Sequence, residues 1–354
     1  MIRKYIQLPN QTPAKLALVG EAPGAEEVIK GQPFVGQAGK LLDELLEEAS
    51  LLRKEILITN VFSKRPLAND VSQFFIKRKE AKGSPYNSPF KPFGNLGFLR
   101  EEYEGEIARL KEEVNSVSPN LVVVLGATAL WATTQLCGIS NYRGRILWSP
   151  FLSCKVLPTY HPAYILRNWG ARPITSIDFK LAQQECQFPD VRRPLRNIFI
   201  ATTPLDIDTF YKNFIVGAVR IAVDVETDRQ TRQITCVSIA PSPQNALVIP
   251  FWDFSKSPPH YWSEEDECLV YLKLKQLLES PLPKVGQNFT YDLTYFAEMG
   301  IYPGGVIDDT MLKAHAYQPE MEKTLGFLAS IILNDIPWKQ YGHKPKNQEN
   351  KKDQ

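Results

Sequence analysis

Four short apolar runs constrain this chain more than any other feature. They are LALVG (16–20), EILITNV (55–61), LVVVLG (121–126) and CKVLPTYHP (154–162), and each runs into a loop carrying glycine, asparagine or histidine. Apolar runs of that length, bounded by turn signals, read as buried strands. Between them lie helical patterns. Leucines recur at helical spacing in QAGKLLDELLEEA (37–49), and residues 100–115 read the same way. Strands alternating with helices imply a parallel α/β sheet covered on both faces. Residues 64–98 break the pattern. They lack periodicity, are rich in Lys, Pro, Gly, Asn and aromatics, and read as an irregular insert.

A seam at CQFPDVRRPLR (186–196) ends this region. Beyond it, NIFIATT (197–203), RIAVDVET (220–227), QITCVSIA (233–240) and NALVIPF (245–251) read as strands that pair locally before helices appear. That order suggests a mixed-sheet domain. The expected limits are 1–190 and 196–340, with residues 341–354 a polar, lysine-rich tail expected to be disordered.

Composition narrows the class. A chain of 354 residues is comfortable as two domains, and a net charge of +2 gives no global positive field. DNA binding would therefore rest on a local basic face. The five cysteines are scattered singly, without a CxxC pair. That argues against a disulfide scaffold or zinc ribbon and fits a reducing compartment. No run reads as a signal peptide or is long enough to span a bilayer, so the expected location is the cytoplasm (a host's, if phage-encoded), with no membrane partner.

Four segments carry chemistry: GEAPGAEE (20–27), GQPFVG (31–36), TNVFSKRP (59–66) and HPAYILR (161–167). Each sits at or just after the C-terminal end of an expected strand, the edge where ligand sites gather in open α/β sheets. In this order, with KLLDELLEEA (40–49), LVVVLGATA (121–129) and VLPTYHPAY (156–164), they resemble family 4 uracil-DNA glycosylases over about residues 14–185. The resemblance implies a three-layer, parallel-sheet glycosylase fold. It also implies hydrolysis of the N-glycosidic bond of a uracil flipped out of uracil-containing DNA.

The resemblance assigns roles residue by residue. Phe34 stacks on the base, and Asn60 satisfies O4 and N3–H with one amide. His161 donates to O2 of the departing base, where charge develops. Glu21 stands near the sugar, and Glu27 crowds C5 to exclude thymine. Leu166 and Arg167 belong to a loop that probes the minor groove. Each also has a plain reading: Phe34 as core, Asn60 as a turn cap, and His161, Glu21 and Glu27 as solvated surface groups.

The sequence departs from that family in one respect. Its members hold an iron–sulfur cluster through four cysteines. Here no cysteine precedes Cys137, and Lys64 stands at one ligand position, so no cluster is expected. The insert is expected to replace it as packing. The insert also carries Lys77, Arg78, Lys79 and Lys82 near Phe74, Phe75 and Tyr86. That mixture suits either single-stranded DNA or a solvated, partly disordered segment.

The second region carries VDVET, which puts Asp224 and Glu226 on one strand face. GQNFTYD (286–292) adds Asn288 and Asp292, followed by DDTML (308–312) and LGFLASI (325–331). Paired carboxylates suit Mg²⁺ or Mn²⁺ in two-metal hydrolysis. The set, extended by Thr227 and Asp228, resembles the 3′–5′ proofreading exonuclease domain of family A DNA polymerases over about 196–340. The resemblance implies a ribonuclease H-like mixed-sheet domain with Asp224, Glu226 and Asp292 as metal ligands. That family also needs an acid in a Tyr-x-x-x-Asp motif, and neither Tyr317 nor Tyr341 begins one. The nuclease is therefore expected to be incomplete, with weak or no activity. The pairing of domains resembles the N-terminal part of certain phage DNA polymerases and suggests a polymerase chain as partner. Three readings stand: a uracil-DNA glycosylase with a partial nuclease; a non-catalytic uracil-sensing or DNA-binding module; and an exonuclease completed by a partner chain.

Overall fold

The computed structural model describes residues 14–81, 88–192, 195–228 and 230–333. Lys82, Tyr86 and the tail lie outside the described residues. The chain divides into two compact units. One runs through Val191 and takes in the segment that begins at Gly326; the other is Arg192–Leu325.

The first unit is built on a five-stranded sheet in the order Ile56–Asn60, Leu16–Gly20, Leu121–Leu125, Cys154–Thr159 and Leu147–Ser149. The first four strands are parallel, and the short Leu147–Ser149 joins antiparallel at the edge. Each of the three strands Leu16–Gly20, Ile56–Asn60 and Leu121–Leu125 is buried along its whole length, as a sheet covered on both faces requires. Alternate residues feed two cores. Ala17, Val19, Val122 and Val124 pack with Ile107, Leu110 and Val114 of helix Glu104–Val117 and with Ala129–Ala132. Leu16, Leu18, Leu121 and Val123 pack with Leu41, Leu42 and Leu45 of helix Gln37–Glu48 and with Phe179 of helix Arg172–Glu185. The result is three layers whose parallel strands all end on one side, at Gly20, Asn60, Leu125 and Thr159.

The insert is packed rather than frayed where it is described. Strands Phe75–Ile76 and Phe98–Leu99 pair antiparallel. Phe75 lies 5.2 Å from Trp131 and 5.5 Å from Phe93, while Phe74 lies 4.4 Å from Phe62. Phe74 and Phe75 are therefore core and offer no face to a nucleobase, whereas Lys77, Arg78 and Lys79 are exposed.

The second unit holds a mixed six-stranded sheet in the order Ile307–Asp309, Lys284–Gly286, Ile221–Thr227, Ile234–Ala240, Asn245–Pro250 and Asn197–Ile200. The strands Ile221–Thr227, Ile234–Ala240 and Asn245–Pro250 form the antiparallel centre, and the outer pairs are parallel. Among the described residues, no helix is long and apolar enough to cross a membrane.

Candidate active site

The four strand ends of the first unit converge on a cavity of about 450 Å³. Glu21, Glu27, Phe34, Asn60, His161 and Arg167 all line it. That size suits one nucleobase with its sugar. Leu166 stands beside it, 46% exposed.

Gly20 explains how the groups can meet. A Cβ there would fall 2.3 Å from the Asn60 amide oxygen and 2.6 Å from the Phe34 ring. Only a residue without a side chain lets both close in. Phe34 is buried and belongs to a hydrophobic core, so it is at once a core residue and a pocket wall. Its φ of +53° is a left-handed conformation, which an L residue adopts only under constraint. The constraint is visible. Arg53 donates from Nη2 to the carbonyls of Pro33 and Phe34, at 2.8 and 3.1 Å. Glu27 Oε1 accepts from the Val35 and Gly36 amides, both at 3.0 Å. One carboxylate oxygen of Glu27 is thus spent on shaping the loop that presents Phe34.

Asn60 is held from behind. Arg109 Nη2 donates to the carbonyls of Asn60 and Val61, both at 2.8 Å. Its other nitrogens bind Glu113 at 2.6 Å and Glu106 at 3.0 Å. Thr59 donates to Glu113 and Ser63 to Glu106, so the network fixes the strand end that carries the amide. The buried Asn60 side chain then aims into the cavity.

His161 caps the short helix Pro162–Ile165 by accepting at Nδ1 from the Ala163 amide, 3.1 Å away. Burial lowers its pKa to about 4, Arg167 adds to the effect and Glu27 opposes it. The ring is therefore neutral at physiological pH. With Nδ1 accepting, its hydrogen sits on Nε2. Its ring lies 5.6 Å from that of Phe34. Glu21 accepts from Thr128 Oγ1 at 2.5 Å. Burial pushes its carboxyl above the usual range, while the Thr128 hydrogen bond and Arg167 pull the other way.

The sequence reading gave no role to four contributors, although Pro66 and Thr128 lie within the motifs TNVFSKRP and LVVVLGATA. Thr128 and Arg109 approach from helices, where no local spacing marks them. Pro66 and Asn69 line the cavity from the start of the insert. The TNVFSKRP segment ended one residue inside that wall.

Among the described residues, the cysteines close into no group that could hold a metal or cluster. Cys154 is buried and its thiol is pushed up to about 12 by desolvation, and Cys186 is likewise buried and raised. Lys64, at the expected ligand position, lies 5.9 Å from the Tyr103 ring.

In the second unit Asp224 and Glu226 are exposed on strand Ile221–Thr227, alternating with buried Val223 and Val225. Asp292 is only 3% exposed, and its Oδ1 accepts from the Val225 amide at 2.8 Å. Burial raises its pKa from 3.8 to about 6, with Asp224 and Asp309 adding to the shift against the Val225 hydrogen bond. Asp309 is occupied locally, accepting from the Asn288 and Phe289 amides. Among the described residues, no three acidic, histidine or cysteine side chains close into a metal-ligand set. The acids are brought near one another without forming one.

Comparison with known proteins gives two family matches. Residues 9–185 match the uracil DNA glycosylase superfamily, and residues 206–351 match a 3′–5′ exonuclease family. A type-4 uracil-DNA glycosylase of Thermotoga maritima is 35% identical over 157 residues, covering 44% of this chain and 67% of that protein. Its counterpart in Archaeoglobus fulgidus is 31% identical over 191 residues, covering 51% of this chain and 82% of that protein. Among solved structures, Escherichia coli RNase D overlaps with a TM-score of 0.30 at 19% identity, over 38% of this chain and 32% of that one.

Proposed function

This chain belongs to the uracil-DNA glycosylase superfamily, and from that premise we propose that its first unit hydrolyses the N-glycosidic bond of a flipped-out uracil. The observation that carries the reading is the convergence of Glu21, Phe34, Asn60 and His161 on one cavity. Phe34 stacks on the base. Asn60 pairs its amide with O4 and N3–H, which cytosine does not match. As the bond from the sugar to N1 breaks, its electron pair passes to the base and spreads onto O2. Neutral His161 donates Nε2–H there, an interaction stronger in the transition state than in the ground state. Glu21 faces the sugar, stabilises its developing positive charge and orients the water that adds to it. Glu27 holds the Phe34 loop against the C5 side of the base, where a thymine methyl would need room. Leu166 and Arg167 engage the DNA at the cavity rim.

The second unit is an exonuclease-like partner to this activity. Exonuclease domains of this kind generally use divalent metals, with Asp224, Glu226 and Asp292 as the ligands to test. Among the described residues, no three of its carboxylates close into a metal-ligand set. We assign residues 1–190 to the first domain and begin the second at 196; the segment from Gly326, expected to lie within a second domain ending at 340, groups with the first unit instead. A phage-type DNA polymerase chain as partner, in the cytoplasm, is the association that the order of the domains suggests.

His161→Ala tests the assignment. Losing the O2 donor is expected to slow excision by about 10²- to 10³-fold, while binding to uracil-containing DNA is retained. Undiminished excision would remove His161 from the mechanism.

A further inference from the structure

The turn that opens the insert presents a leucine to solvent at the rim of the cavity. Pro66 and Asn69 line that cavity, and Leu67 between them is 81% exposed. The turn is firmly held. The Gln73 side-chain amide closes on Leu67 from both sides, accepting from its N–H at 3.3 Å and donating to its carbonyl at 3.2 Å. The Asp70 amide donates to the same carbonyl at 3.0 Å, and Arg65 Nε donates to Asn69 Oδ1 at 3.1 Å. Ala68 and Asn69 both sit at positive φ, +52° and +57°. Left-handed conformations at two successive non-glycine residues cost free energy. Here that cost goes into pointing an apolar side chain away from the core.

A single exposed leucine on a protein surface needs no explanation. This one shares a rim with Leu166, which is 46% exposed on the segment that supplies Ala163, Tyr164 and Arg167 to the same cavity. A base entering that cavity leaves a gap in the duplex stack, and apolar side chains fill such gaps in other DNA-bending proteins. We propose that Leu67 is a second apolar probe that enters duplex DNA beside the extruded nucleotide, acting with Leu166 from the same rim. The inference rests on the glycosylase reading. The occupant it names is the stacked duplex flanking the uracil. A single strand has no gap to fill, so the contribution of Leu67 is specific to duplex substrate.

The experiment compares wild-type protein, Leu67→Ala and Gln73→Ala on the same uracil-containing sequence, single-stranded and duplex, under single-turnover conditions. Leu67→Ala removes an exposed side chain and carries little folding cost. Its duplex-to-single-strand rate ratio is expected to fall about tenfold, the scale of a partly lost unstacking contribution. Gln73→Ala removes two of the hydrogen bonds that hold the Leu67 backbone but keeps the side chain, and is expected to lower the same ratio by less. The fluorescence rise of a 2-aminopurine placed next to the uracil is expected to shrink in parallel. An active Leu67→Ala protein with an unchanged ratio would overturn the role of Leu67 alone. Wild-type protein that leaves uracil intact in both the single-stranded and the duplex substrate would overturn the glycosylase reading, and this inference with it.

Discussion

Glu21 in the first unit and Asp292 in the second are both carboxylates whose pKa burial has pushed up, yet they stand in different surroundings. Glu21 shares a cavity with an aromatic ring, an amide and a neutral imidazole, and the Thr128 hydroxyl fixes one of its oxygens. Asp292 Oδ1 accepts from the Val225 amide, its acidic neighbours are Asp224 and Asp309, and Asp224 and Glu226 lie exposed on the strand. The comparison separates two things that a raised pKa alone conflates. A perturbed acid marks a site only where groups of different chemistry converge on one reacting position.

The sharpest way to break this contrast is to remove a recognition group from the convergent site. Asn60→Ala deletes both hydrogen bonds to the base edge and is expected to lower kcat/KM on uracil by about a hundredfold. Competitive excision assays would show whether the loss is confined to uracil. A loss under threefold would mean that the cavity does not read the base through Asn60.

The other side of the contrast is probed by Asp292→Asn. A carboxyl whose folded pKa is raised contributes stability fully below 3.8 and loses it as pH rises through about 6. At neutral pH the ionised form therefore costs stability. Asparagine keeps the acceptor for the Val225 amide without the charge. The variant is expected to stabilise the second unit by about 3 kcal/mol at pH 7, and by nothing once the pH is below the unfolded value. Denaturant titrations at the two pH values measure this, and equal shifts at both would reject the buried-charge explanation.

Smaller effects test how the convergence is held. Glu27→Ala releases the Val35 and Gly36 amides and is expected to cost about tenfold in excision through lost order around Phe34. Glu27→Gln retains an acceptor oxygen and should recover most of it. Equal losses in both variants would point to the charge rather than the clamp. Thr128→Val removes the hydrogen bond that opposes the raised pKa of Glu21. The acid limb of the kcat–pH profile should then move to higher pH, and an unmoved limb would show that Glu21 does not govern it.

Much of the first unit was legible from sequence because its site lies where strands end. LALVG, EILITNV, LVVVLG and CKVLPTYHP announce buried strands, so the residues just after them had to share one sheet edge. The family resemblance, not the geometry, then singled out Glu21, Phe34, Asn60 and His161 among the residues near that edge. Neither gave Arg109 and Thr128 a role, because they reach the site from helices, and nothing in local spacing marks a residue that works through a distant partner. Phe74 and Phe75 looked like stacking aromatics beside lysines, but the insert buries them against Phe62 and Trp131. Composition cannot distinguish a packed aromatic from an exposed one. The strand Leu147–Ser149, only three residues long, carries too little pattern to be read. In the second unit, alternation showed that Asp224 and Glu226 share a face, but not how far Asp292 lies beneath it.

The most direct measurement uses end-labelled oligonucleotides, single- and double-stranded, each with one uracil, incubated with the protein in EDTA and then treated with alkali. The expected result is strand cleavage only at uracil, undiminished by the chelator and lost in His161→Ala. Intact oligonucleotides in EDTA, with degradation from the 3′ end on adding Mg²⁺ or Mn²⁺, would contradict it and make the second unit the active one.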